Sequence, residues 1–247
     1  MASRDLDAEL VRSESLFVRL MDKHRTGRKK FLLHRLTVIG RLSCGAADRR
    51  AVLDHYGKLI LSLQRIRAGE DVTGLLLLYP QHVLLVIECS TEALLSILQD
   101  LRHMEENRST SLPHSGPILE PRILLVSHDL PRRLFQLWSH KLLDESDSQG
   151  TLVSDEQSPE RLVGDTLHQI LRLGRLLLNK TQQITGSEVI PDEVLKDAVP
   201  PQAAVTRLLQ MEALLSPARY ISTYHTPLHL RLDSESVWPA GEHLQIA

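Results

Sequence analysis

The chain of 247 residues carries 29 Lys and Arg against 31 Asp and Glu, a formal net charge of -2 with a sequence pI near 6.6, so no global field draws it to nucleic acid or to an anionic membrane. Hydrophobic residues make up 42% and charged residues 24%, but aromatics only 4%, which leaves the cores to leucine, isoleucine and valine. Two cysteines, Cys44 and Cys89, cannot make a zinc site alone or a disulfide scaffold, and no uninterrupted apolar run reaches signal-peptide or membrane-span length, so a cytoplasmic protein is expected.

In chain order, Leu10, Val11, Phe17, Val18, Leu20 and Met21 recur at helical spacing and predict an amphipathic helix over residues 8–22. It leads into a basic run, His24, Arg25, Arg28, Lys29 and Lys30, which reads as a solvated linker or a contact for an acidic partner. The β-branched Thr37, Val38 and Ile39 before Gly40 predict a strand over residues 32–40. Asp48 is placed to cap a helix carrying Val52, Tyr56, Leu59, Ile60, Leu63 and Ile66, with Gly69 marking its end. Two apolar runs, residues 72–79 and 83–87, flank Pro80-Gln81-His82 and predict a β-hairpin.

Ser90 is placed to cap a second helix with Ala93, Leu94, Ile97, Leu98 and Leu101 on one side. A serine- and proline-rich loop over residues 109–121 precedes a buried strand over 122–127. The resulting βαββαβ order predicts an α+β fold of the ferredoxin-like kind, with two helices against one face of an antiparallel sheet. Residues 144–158, acidic and serine-rich without hydrophobic period, read as a flexible linker. Ser158 followed by Pro159 then starts a helix striped by Val163, Leu167, Ile170, Leu171, Leu177 and Leu178. Another helix is predicted over 202–215, kept separate by Pro191, Pro200 and Pro201, and the loosely alternating 220–232 reads as an edge strand or ordered tail.

The segments at residues 34–39, 72–79, 84–88 and 133–139, the last ending in Trp138-Ser139, together resemble the BLUF family of blue-light sensors that use FAD. The resemblance divides the chain into an N-terminal helix and basic linker (1–30), a BLUF-like domain (31–143), a linker (144–158) and a helical extension with tail (159–247). In that family a tyrosine on the first strand and a glutamine on the third contact the flavin, and the light reaction passes between them. Here those positions hold Val38 and Leu85, which neither donate an electron nor hydrogen-bond a flavin. The family's ring-holding asparagine pair falls at about Ile66 and Arg67, and its methionine after the tryptophan and serine is His140. The resemblance therefore implies no cofactor, no photochemistry and no catalytic, cofactor-binding or metal residue, with the space between the helices filled as core. It also implies that the C-terminal helices lie on the outer face of the sheet through Leu167, Ile170, Leu171 and Leu178. With its flanking helices the whole chain resembles the testis-expressed protein 47 family through residues 72–101 and 122–142, which implies a male germ-cell or flagellar setting.

Among the twelve histidines, His225 and His229 have metal-ligand spacing, but Pro227 between them argues against the helix that would give the spacing meaning. Ser127-His128-Asp129 has the residue types of a hydrolase triad without a nucleophile elbow, and reads as a strand end before Pro131. Cys89 has no cation beside it in sequence to lower its pKa and reads as core. Glu88 matches the BLUF family's strand-end glutamate, a structural acceptor of backbone hydrogen bonds at a helix start. Arg132-Arg133 lacks a glycine-rich phosphate loop, and Gly40-Arg41 is only a fragment of the anion loop an acyl-phosphate hydrolase would need. Two functions stand: a structural or interaction module with axonemal or cytoskeletal protein partners, and a nucleotide- or flavin-binding sensory domain with an altered pocket.

Overall fold

The computed structural model describes residues 31–42, 46–66, 69–107, 116–144, 158–181 and 198–225. The expected helix over 8–22, the basic run, most of the 109–121 loop and of the linker, Pro191, and His229 with the tail beyond 225 lie outside the described residues.

Five strands form one sheet: β1 (His34–Leu42), β2 (Thr73–Leu78), β3 (His82–Cys89), β4 (Ile118–Ser127) and β5 (Trp138–Leu142). Their spatial order is β4-β1-β3-β2-β5, with every neighbouring pair antiparallel except β2 and β5. With α1 (Ala46–Ile66) between β1 and β2, and α2 (Thr91–Asn107) between β3 and β4, this is the expected ferredoxin-like βαββαβ order. The sequence reading lacks β5. It also starts β4 too late: the strand runs back across Pro121, which an edge strand accommodates.

Alternation along the strands sorts side chains to two cores. Leu36, Val38, Leu76, Leu78, Leu85 and Ile87 face α1 and α2, meeting Tyr56 and Ile60 from the first helix and Leu94, Ile97 and Leu101 from the second. Ile39, Leu75, Leu77, Leu84 and Val86 face the other way, against α3 (Pro159–Thr181) and α4 (Gln202–Leu209). A sheet covered on both faces needs unbroken apolar strands, which is why residues 75–78 are four consecutive leucines.

The expected cover on the second face is present, but its registration differs. Leu162, Thr166, Ile170 and Leu173 form the buried stripe of α3, while Leu171 is exposed. Ser158 caps α3 as expected, its hydroxyl accepting from the Arg161 N–H at 3.4 Å. On α1 the cap differs: the helix begins at Ala46, so Asp48 lies within its first turn. α4 ends at Leu209, short of the expected residue 215, and Leu215 instead bridges Ile123 of β4. Pro217–Tyr224 form a further helix, α5, rather than the expected strand or tail, with the Ser216 hydroxyl accepting from the Arg219 N–H. Its Tyr220 enters the first core.

Candidate functional site

Val38 and Leu85 stand directly opposite each other across the β1–β3 ladder. Both point under α1 and α2 and are 1% and 0% exposed. Tyr56 and Ile97 belong to the same apolar cluster, so the space between the helices is built as core. His55 of α1 donates from Nε2 to the Asp100 carboxylate of α2 at 2.9 and 3.0 Å, tying the helices together over that core. The Tyr56 hydroxyl is buried there without a hydrogen-bond partner among the described residues, and burial pushes its pKa well above the ordinary phenol value, with Asp100 adding to the shift. Ile66 is 76% exposed at the end of α1, and Arg67 lies outside the described residues.

Glu88 anchors the segment between β4 and β5. Its carboxylate is wholly buried, accepts from Arg35 at 2.6 Å, and takes backbone N–H groups of Leu134 and Phe135 at 2.9 and 3.1 Å. It therefore holds the 131–137 loop, not a helix start as expected. Arg133 pins the same loop from its other side, donating to Thr73 Oγ1 and the Glu88 carbonyl, each at 2.8 Å, and to the Asp71 carbonyl. These three bonds hold the loop that delivers Trp138 to the edge of β2, where Gly74 pairs with it.

Cys89 lies in the core with its thiol pushed up to about 12, since burial outweighs the opposing effect of Arg133. The fold thus supplies the cation that the sequence lacks nearby, yet the thiol is not activated. His128 turns away from triad geometry: its Nδ1 is 2.9 Å from His34 Nδ1, and its Nε2 is 3.5 Å from the Tyr220 hydroxyl. His34 Nε2 meets Thr91 Oγ1 at 2.8 Å. Burial first, then His128, lower the pKa of His34. This pair joins residues 94 apart, and nothing in the local sequence marks it. His225 follows the last residue of α5, its ring tilted against Tyr220 at 5.8 Å between centroids. Among the described residues no group of three or more His, Cys, Asp or Glu is arranged to hold a metal.

A concavity lies elsewhere among the described residues. A cleft of about 570 Å³ runs between α1 and β5, lined by Leu53, Gly57 and Leu61 on the helix and by Leu137, Trp138 and His140 on the strand side. Leu61 and Leu137 are 56% and 44% exposed. The lining is mixed, with Asp54, Lys58, Gln64 and His140 among the apolar side chains, a form suited to holding a side chain or peptide.

No described helix is long and apolar enough to cross a membrane. Among solved structures the chain is similar to a BLUF domain of BlrP1 at 20% identity, covering 47% of this chain and 66% of that one, with a TM-score of 0.32. It is similar to the BLUF protein BlrB in its dark state at 20% identity, covering 46% and 74%, with a TM-score of 0.31. A bacterial light-regulated adenylyl cyclase matches at 15% identity over 72% of this chain, which spans 39% of the cyclase, with a TM-score of 0.31. The chain thus spans about two thirds of the first of these proteins and well under half of the cyclase, and such likenesses add nothing to the strand order described above. The sequence profile of Testis-expressed protein 47 matches residues 32–226, well over half of the chain. The protein belongs to the Testis-expressed protein 47 family.

Proposed function

We propose that this protein is a non-catalytic, non-photoactive interaction module of the testis, acting in sperm or its flagellum through protein partners of the axoneme or cytoskeleton. The observation that carries the reading is the Val38–Leu85 pair, which sits face to face and buried beneath α1 and α2. An alkyl pair at that place supplies neither the redox side chain nor the hydrogen bonds that a flavin light switch uses. Membership of a testis-expressed family supports the setting, and the half-apolar cleft beside β5 supports a docking role.

The other reading, a nucleotide- or flavin-binding sensory domain with an altered pocket, is favoured by one observation. The buried, unpartnered Tyr56 hydroxyl would gain a hydrogen bond from a ligand placed between the helices. Blue and near-ultraviolet absorption of the purified full chain, with thermal melts with and without FAD, separates the two. The interaction module is colourless and melts at the same temperature with FAD present. A yellow protein, or a melt raised by several degrees, makes the sensory reading the correct one.

A further inference from the structure

We infer that β5 is a self-association edge, by which two copies of this chain pair β5 with β5 antiparallel about a two-fold axis at His140. β5 ends the sheet. The Gly74 N–H donates to the Leu137 carbonyl at 3.1 Å, and the Leu143 N–H donates to the Leu78 carbonyl at 2.8 Å. In a parallel ladder that parity turns the backbone groups of Ser139 and Lys141 toward β2 and those of Trp138, His140 and Leu142 outward. Among the described strands nothing pairs with that outer row. An open edge of this kind is a template for another strand.

The residues on the edge fit a copy of themselves. With His140 opposite His140 of the second copy, Trp138 of each chain stands opposite Leu142 of the other, an aromatic–aliphatic pair of the sort that stabilises sheets. Trp138 packs toward the α1 side, and by alternation Leu142, which is 39% exposed, shares its face. The two pairs would thus close the cleft from its open side. Charge agrees with the same symmetry. Asp54 and Lys58 are exposed at the border of that cleft, one helical turn apart. A two-fold axis that runs α1 antiparallel to its copy brings Asp54 of each toward Lys58 of the other, so the surface is complementary to itself. The inference does not rest on the proposed function, although both use the cleft beside β5, which self-pairing closes to another protein; dimer formation is read without any partner present.

The test is sedimentation equilibrium of the full chain from about 1 to 100 µM. Wild type is expected to form dimers within that range. His140→Pro leaves the inner ladder intact, because the lost N–H points outward, and is expected to weaken dimerisation at least about tenfold. Asp54→Lys and Lys58→Asp are each expected to weaken it several-fold, and the double reversal to restore it. A wild-type chain that stays monomeric at the highest concentration overturns the inference, as does a His140→Pro dimer of unchanged strength. If His140→Pro fails to fold, the charge variants decide: single reversals without effect, or a double reversal without rescue, overturn it equally.

Discussion

Glu88 is the residue on which the most structure depends. Its buried carboxylate satisfies Arg35, itself only 13% exposed, and two backbone N–H groups of a loop far away in sequence. Removing one partner of a buried pair leaves the other charge uncompensated, which costs more than the pair contributes when intact. Glu88→Ala is therefore expected to lower unfolding free energy by about 3–5 kcal/mol, measured by urea denaturation; a loss under about 1 kcal/mol would show that the loop is held by something else. Resemblance made the residue visible as structural in the sequence, but its partners were not visible, because the loop is 46 residues further along the chain. The same limit applies to His55 with Asp100 and to His34 with His128, pairs created only when separate strands and helices meet. Val38 and Leu85 were legible because the family resemblance marks both positions, and the strand register then sets them face to face.

Elements were legible in proportion to how continuous their signal is. The β2–β3 hairpin carries two apolar runs around Pro80, and α3 carries a serine cap followed by proline, so local chemistry and burial agree. β5 was missed because Trp138-Ser139-His140-Lys141-Leu142 is short and mixed in polarity, as an edge strand is. α5 was misread although Ser216-Pro217 is a start signal, since Tyr220 and Ile221 among polar residues also suit a strand. Gly74 joins the elements most tightly: it pairs with Ile87 on one side and Trp138 on the other. Its φ is +155°, and an added Cβ would lie 2.0 Å from the Val86 carbonyl oxygen. Gly74→Ala is expected to cost at least about 3 kcal/mol. Gly57→Ala, in a helix with nothing within 4 Å of the new atom, is expected to be neutral or to stabilise by up to about 1 kcal/mol. Urea midpoints of the two variants in dilute solution check the contrast; equal effects would mean that Gly74 is not held as described.

At the scale of the whole molecule, covering the sheet on both faces puts polar side chains where water does not reach them, and two are histidines with consequences for acid stability. His34 at the start of β1 and His82 at the start of β3 are each 5% exposed, and burial is the largest cause lowering both pKa values, helped by His128 for the first and Arg41 for the second. His82 Nδ1 has no hydrogen-bond partner among the described residues. Asp129 and Glu92 oppose the shift of His34 without reversing it. With folded values below the ordinary 6.5, the unfolded chain takes up protons first as pH falls. Unfolding free energy therefore rises with pH through this window and is lost on acidification from about pH 7 toward pH 5, before most carboxylates titrate. Urea midpoints are expected to be level between about pH 7 and 8 and to fall steadily below about 6.5. Replacing both residues, His34→Gln with His82→Gln, should flatten that slope while lowering stability near pH 7 through the loss of the Thr91 and His128 contacts. A slope unchanged in the double variant would place the acid sensitivity on other groups, and the burial of these two histidines would then have no part in it.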